Sequence, residues 1–245
     1  LSNLMTKDNK QNQKVEMKTT NGVLNYRRMP IEEESPEEVG YGKIKCNLTE
    51  SSMPDGFFNT HIFINNTSGP TQEQLFQNLA LSYTDHMGNP KLRELIAGQH
   101  ESLNRDDVLI TVGAAHALFM IATSLLDKTD GLIVAHPNYS TNLETPEFAI
   151  GCQVHKLKLS FESNWQINPE DVETILKNNN NIKLVSVTTP HNPSGVVTST
   201  EVLQQIYDIV VKYSGIYDRK IYLLVDETYR DMFVDSNVDD KISTT

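Results

Sequence analysis

The chain has 245 residues, 38% hydrophobic and 22% charged, the composition of a globular protein with one large core, alone or with a satellite. A formal net charge of −11 argues against nucleic acid or an anionic membrane as the main partner. Cys46 and Cys152 have neither metal-ligand nor disulfide-framework spacing, no apolar run is long enough to span a bilayer, and the polar N-terminus is no secretory signal, so a reducing, cytoplasmic compartment without a metal centre is expected.

Residues 1 to about 21 are polar, poor in aromatics and without periodicity, which predicts a lead with little regular structure. EEESPEE, Glu32–Glu38, reads as a solvated acidic face or linker. Between Gly40 and Asn66 short apolar pieces (KIKCNL, FFNTHIFI) alternate with turn-forming residues, as in an extended arm packed on another body. From Thr71 the pattern becomes regular. TQEQLFQNLALSY has helical spacing, with Ser68 or Thr71 available as a cap, and NPKLRELIAGQHESL predicts a second helix with Pro90 in its first turn. DVLITV then predicts a strand and GAAHALFMIATSLL an apolar helix. GLIVAHP and CQVHKLKL predict two further strands, and NPEDVETILKNN a helix capped by Asn168. KLVSVTTP, STEVLQQIYDIVVKYS and IYLLVDETY complete the series as strand, helix and strand. Apolar strands separated by helices imply an α/β fold, a mostly parallel sheet with helices on both faces. The expected organisation is a lead over 1–40, an arm over 41–70 and a large domain over 71–245.

In such sheets ligands bind beyond the carboxyl ends of the strands, so TVGAAH, AHPNYS, TTPHNPSG and VDETY are the segments that carry chemistry. Gly113, Ala114 and Ala115 join a strand to a helix N-terminus without bulky side chains, which suits an anion such as phosphate, though small residues there also serve close packing. The spacing is neither GxGxxG nor a P-loop. Asp226 ends the apolar run IYLLV, where a carboxylate needs a partner or a cation; the plain alternative is a turn cap. Tyr139 suits packing or stacking on a planar ligand, and Tyr229 lies three residues after Asp226. In TTPHNPSG, two prolines bracket His191 and Asn192 in what could be an ordinary strand-ending turn.

Together, Tyr83…Gly88, GAAHAL, HPNY, HNPSG and DETY resemble the class I/II aminotransferases, fold-type I enzymes that use pyridoxal 5′-phosphate, over roughly Ile44 to Phe233. The resemblance implies that backbone amides of Gly113, Ala114 and Ala115 hold the cofactor phosphate and that Tyr139 stacks on its ring. It implies that Asn192 and Tyr229 serve the ring's phenolic oxygen and that Asp226 pairs with the ring nitrogen. Tyr83 would reach the phosphate of the neighbouring subunit, making the active unit a homodimer acting on an amino acid and a 2-oxo acid. Relatives carry a cis bond at the position of Asn192–Pro193, which the resemblance extends to this loop. His191 reads as a loop histidine, His116 as packing or a supporting contact, and Arg230 and Asp231 as solvated or structural.

The pattern breaks at the lysine that the family attaches to the cofactor, in a motif of the type Ser-x-x-Lys beyond DETY. Lys241, in DDKIST, follows no strand and is not expected to be that lysine, so no catalytic residue is assigned. The chain is therefore expected to be the front portion of a longer enzyme and not to transaminate alone. NLTESSMPDG also departs from the glycine-bearing segment of many relatives, which puts substrate identity in doubt. Two rival readings share the scaffold: another reaction with the same cofactor (a lyase, decarboxylase, synthase or oxidative enzyme), or a non-catalytic sensing domain.

Overall fold

The computed structural model describes residues 15–19, 22–26, 40–46, 74, 77 and 83–232. The chain divides into two compact units, Arg28–Leu92 on the one hand and Leu1–Arg27 with Arg93–Thr245 on the other. The helix expected over TQEQLFQNLALSY lies outside the described residues except at Gln74 and Gln77, both helical. Most of the arm and all of Glu32–Glu38 also lie outside them. In the lead, strands β1 (Val15–Thr19) and β2 (Gly22–Tyr26) pair antiparallel, where little regular structure was expected. VEMKT and GVLNY each mix apolar and polar residues over five positions, too short for periodicity to register against the polar surroundings.

Helix α1 (Pro90–Ala97) is shorter than NPKLRELIAGQHESL predicts. Asn89 opens it, its side chain accepting from the amides of Lys91 and Leu92, and Gly98 closes it, since glycine is costly inside a helix. DVLITV forms no strand: Val108 is extended, at φ −108° and ψ 126°, but residues 108–112 join no ladder among the described residues. An apolar β-type run becomes a strand only where a neighbour takes up its backbone groups.

The elements from Gly113 onward form as the sequence predicts. Helix α2 (Gly113–Leu125) leads to β3 (Gly131–His136), and β4 (Gln153–Lys158), α4 (Pro169–Asn178), β5 (Ile182–Thr188), α5 (Thr200–Ile216) and β6 (Tyr222–Asp226) follow in the order read from the sequence. Asn168 caps α4 as expected, accepting from the Glu170 amide at 3.1 Å, and Ser199 caps α5 by accepting from the Val202 amide at 3.4 Å. One helix was not foreseen. Ser140–Glu144 forms α3 and runs into a π-turn over Thr145–Ile150. Pro146 has no amide to give a regular helix; its carbonyl instead accepts from both Gly151 and Cys152 at 3.0 Å.

The four strands form a parallel sheet in the order β4-β3-β5-β6. Alternate side chains serve opposite faces. Ile133, Ala135, Val185 and Val187 meet Val172, Leu176, Leu203, Ile206 and Val210 of α4 and α5. Leu132, Val134 and Leu184 meet Ala122 and Leu143 on the other face. Each fully buried Val, Leu or Ile contributes roughly 1.5–3 kcal/mol, so helices on both faces follow from strands that are apolar throughout. Below the sheet, Asp130 accepts from Arg219 at 2.8 Å and Lys183 at 3.3 Å, joining the starts of β3, β5 and β6.

Cys152 lies in the α2-side core, and burial, with Asp130 adding to it, pushes its thiol up to about 11. Cys46 is exposed. With a thiol-specific reagent at neutral pH, one sulfur is expected to react at once and Cys152 only after denaturation, because the thiolate is the reactive form. Two fast thiols in the native protein would contradict this packing. Among the described residues no helix is long and apolar enough to cross a membrane.

Candidate active site

Parallel register brings the strand ends level. Thr188 of β5 lies opposite Asp226 of β6, and the Thr189 amide donates to the Asp226 carbonyl at 2.9 Å. The loops after β3, β5 and β6 therefore leave the sheet side by side. Tyr139, Asn192 and Tyr229 sit on them, and Asp226 is the last residue of β6.

Asp226 is 9% exposed. Its Oδ1 accepts from the Thr228 amide at 3.1 Å and the Thr228 hydroxyl at 2.6 Å, and its Oδ2 from Asn142 Nδ2 at 3.3 Å. All these donors are neutral, and among the described residues no Lys, Arg or His forms an ion pair with it. A buried carboxylate so arranged is oriented but has no countercharge, and such a group gains from a cation brought to it. Asn192 Nδ2 stands 3.4 Å from the Tyr229 hydroxyl, so the two polar tips converge. The Tyr139 ring is 43% exposed, leaving area for a flat partner.

Gly113 opens α2 with φ +77°, a left-handed conformation that side chains rarely adopt. No side chain of the Val112 cap position bonds the helix amides, the first turn carries no acid, and residues 113–115 are exposed. This end of α2 therefore suits an anion electrostatically. His116 Nδ1 accepts from the Val112 amide at 3.3 Å, so the histidine shapes the entry to the helix. Tyr83 lies in the other unit, fully exposed, ahead of a turn in which Asp85 accepts from Met87 and Gly88. Arg230 Nη1 approaches Glu227 Oε2 at 3.8 Å, a partly exposed contact. Lys241 lies outside the described residues.

The sequence reading missed a polar group under this site. Asn142, on α3, joins Asp226 to Asn138 Oδ1 at 3.2 Å, and Thr188 also donates to Asn138 Oδ1 at 3.3 Å. The recoverable signal was the spacing of Asn138 and Asn142, four apart just after a strand, which faces them toward each other once a helical turn forms. Two buried polar atoms here have no protein partner: Asn138 Nδ2 and Glu227 Oε1. Each belongs to a residue adjoining a predicted site residue, Tyr139 or Asp226.

The model of the family described as aminotransferase class I and II matches residues 60–244. The chain belongs to that family. It is 30% identical over 176 residues to kynurenine–oxoglutarate transaminase 3 of Bos taurus, covering 66% of this chain and 37% of that protein. It is 32% identical over 155 residues to the aspartate aminotransferase of Thermotoga maritima, covering 61% and 38%. Among solved structures, an aminotransferase from Eubacterium rectale superposes with a TM-score of 0.61 at 26% identity, over 68% of this chain and 43% of that one. The aminotransferase-family chain thus spans about two fifths of the length of these relatives.

Proposed function

We propose that the protein carrying this chain is a pyridoxal 5′-phosphate-dependent aminotransferase that moves an amino group between an amino acid and a 2-oxo acid. The observation that carries this reading is the buried Asp226 carboxylate, whose hydrogen-bond donors among the described residues are all neutral, at the level of the strand ends. A pyridinium nitrogen is the cation such a group suits. The other residues singled out in the sequence suit the rest of the cofactor: Tyr139 to lie against the ring face, Asn192 and Tyr229 to meet the phenolic oxygen, and the amides of Gly113, Ala114 and Ala115 to receive the phosphate. When bound, the cofactor supplies an electron sink for the carbanion at the substrate's α carbon. The chain's contribution is to orient that ring and keep its nitrogen protonated through Asp226. Membership of the family supports the same reading. By the family resemblance, Tyr83 serves the phosphate of a neighbouring subunit in a homodimer, and the isolated Cys46 and Cys152 fit a reducing cytoplasm.

The test is cofactor retention followed by turnover. The intact protein, incubated with pyridoxal 5′-phosphate and desalted, is expected to keep a visible absorbance band. With aspartate, alanine or kynurenine as donors and 2-oxoglutarate as acceptor, at least one pair is expected to yield glutamate. Absence of bound cofactor at saturating concentration would reject the reading; bound cofactor that drives another reaction would reject only the transferase assignment.

A further inference from the structure

The loop holding Asn192 has a feature that its sequence does not announce. His191 is 4% exposed, and both ring nitrogens are engaged. Nε2 lies 3.0 Å from the carbonyl of Pro137 and Nδ1 lies 2.8 Å from the Ser194 hydroxyl. A carbonyl only accepts, so Nε2 carries the hydrogen and Nδ1 accepts from Ser194. Burial holds the imidazole below its ordinary range, against the pull of the Pro137 carbonyl, which agrees with this neutral form. The backbone of the same residue closes the loop: its amide donates to Val196 at 2.8 Å and its carbonyl accepts from Gly195 at 2.6 Å. Gly195 makes that closure at φ +73°.

We propose that His191 is a positioning residue, which ties the Asn192 loop to the Tyr139 loop and so sets the place of the Asn192 amide relative to the Tyr139 ring. The inference rests on the cofactor reading above. The tie is placed where it acts on both: Pro137 is two residues from Tyr139, and Asn192 adjoins the histidine. Asn192 is otherwise weakly held, its side-chain contact with Tyr229 being long at 3.4 Å. The further links between these segments, Thr188 to Asn138 at 3.3 Å and Asn142 to Thr188 at 3.5 Å, lie at the strand end. Without the His191–Pro137 bond the Asn192 amide is free to swing away from the phenolic oxygen of a bound ring. A donor lost from that oxygen destabilises its ionised form, so its titration moves to higher pH.

The test compares His191→Ala, His191→Gln and Ser194→Ala in the intact protein loaded with pyridoxal 5′-phosphate. Two readouts serve: the dissociation constant by equilibrium dialysis and the pH midpoint of the bound cofactor's absorbance. His191→Ala is expected to weaken binding about 5- to 10-fold and to raise the midpoint by about half a unit, the scale of one hydrogen bond. His191→Gln, whose amide reaches Pro137 much as Nε2 does, is expected to restore both to within about 2-fold and about 0.2 unit. Ser194→Ala, which leaves the Pro137 bond in place, should give a smaller shift in the same direction and keeps the inference testable if His191→Ala does not fold. Wild-type midpoints in all soluble variants would overturn the positioning role while leaving the cofactor reading intact. A wild-type protein that binds no cofactor would overturn both.

Discussion

Asp226→Ala is expected to lower affinity for pyridoxal 5′-phosphate at least about 100-fold, the largest functional effect of any single change in this chain. The estimate follows from losing a charged hydrogen bond to the ring nitrogen, worth about 1.5–3 kcal/mol, together with the cost of burying that ring without its countercharge. The fold should survive. Asn142 keeps its bond to Asn138 at 3.2 Å, and the Asp226 carbonyl still accepts from Thr189. Asp226→Asn keeps the shape and removes the charge, so it separates the two contributions: a loss near that of alanine assigns the effect to charge. Equilibrium dialysis with circular dichroism as a folding control decides the matter. Affinity within about 3-fold of wild type in both variants would remove Asp226 from the cofactor site.

Ile206→Ala is expected to destabilise the fold by about 3 kcal/mol, within the roughly 2–5 kcal/mol range of such truncations. Ile206 is fully buried on α5 against the sheet and α4, in the cluster that contains Leu176, Val185 and Val187. The side chain is removed from a packed layer that has little freedom to close over the gap. Its neighbour Tyr207 is 52% exposed on the same helix, and Tyr207→Ala should change stability by about 0.5 kcal/mol or less. Urea unfolding midpoints of the pair give a direct check. Similar midpoints for the two variants would mean that α5 presents a different face to the sheet.

Asn142 shows how far a one-dimensional reading reaches. Asp226 was legible because a carboxylate ending an apolar strand is an anomaly in its own segment. Asn142 was not, since it sits in a polar stretch where an asparagine raises no question; 84 residues separate it from the carboxylate it contacts. His191 is intermediate. Its place in TTPHNPSG was visible, but its bond to Pro137 spans 54 residues and depends on two loops leaving neighbouring strands together. The Asn192–Pro193 bond is cis, as the resemblance suggested, as are His136–Pro137 and Thr189–Pro190.

DVLITV marks the opposite limit. Its residues satisfy every local criterion for a strand, yet residues 108–112 pair with nothing among the described residues. By itself the sequence determined what depends on near neighbours: the cap at Asn168, apolar runs that must be covered on both faces, and where those runs end. Tertiary structure alone decided the order β4-β3-β5-β6, the opposition of Thr188 and Asp226, and the amide of Asn142 on that carboxylate. The division has a physical basis: caps and periodicity act within a few residues, whereas strand register and buried hydrogen bonds exist only once distant segments have packed.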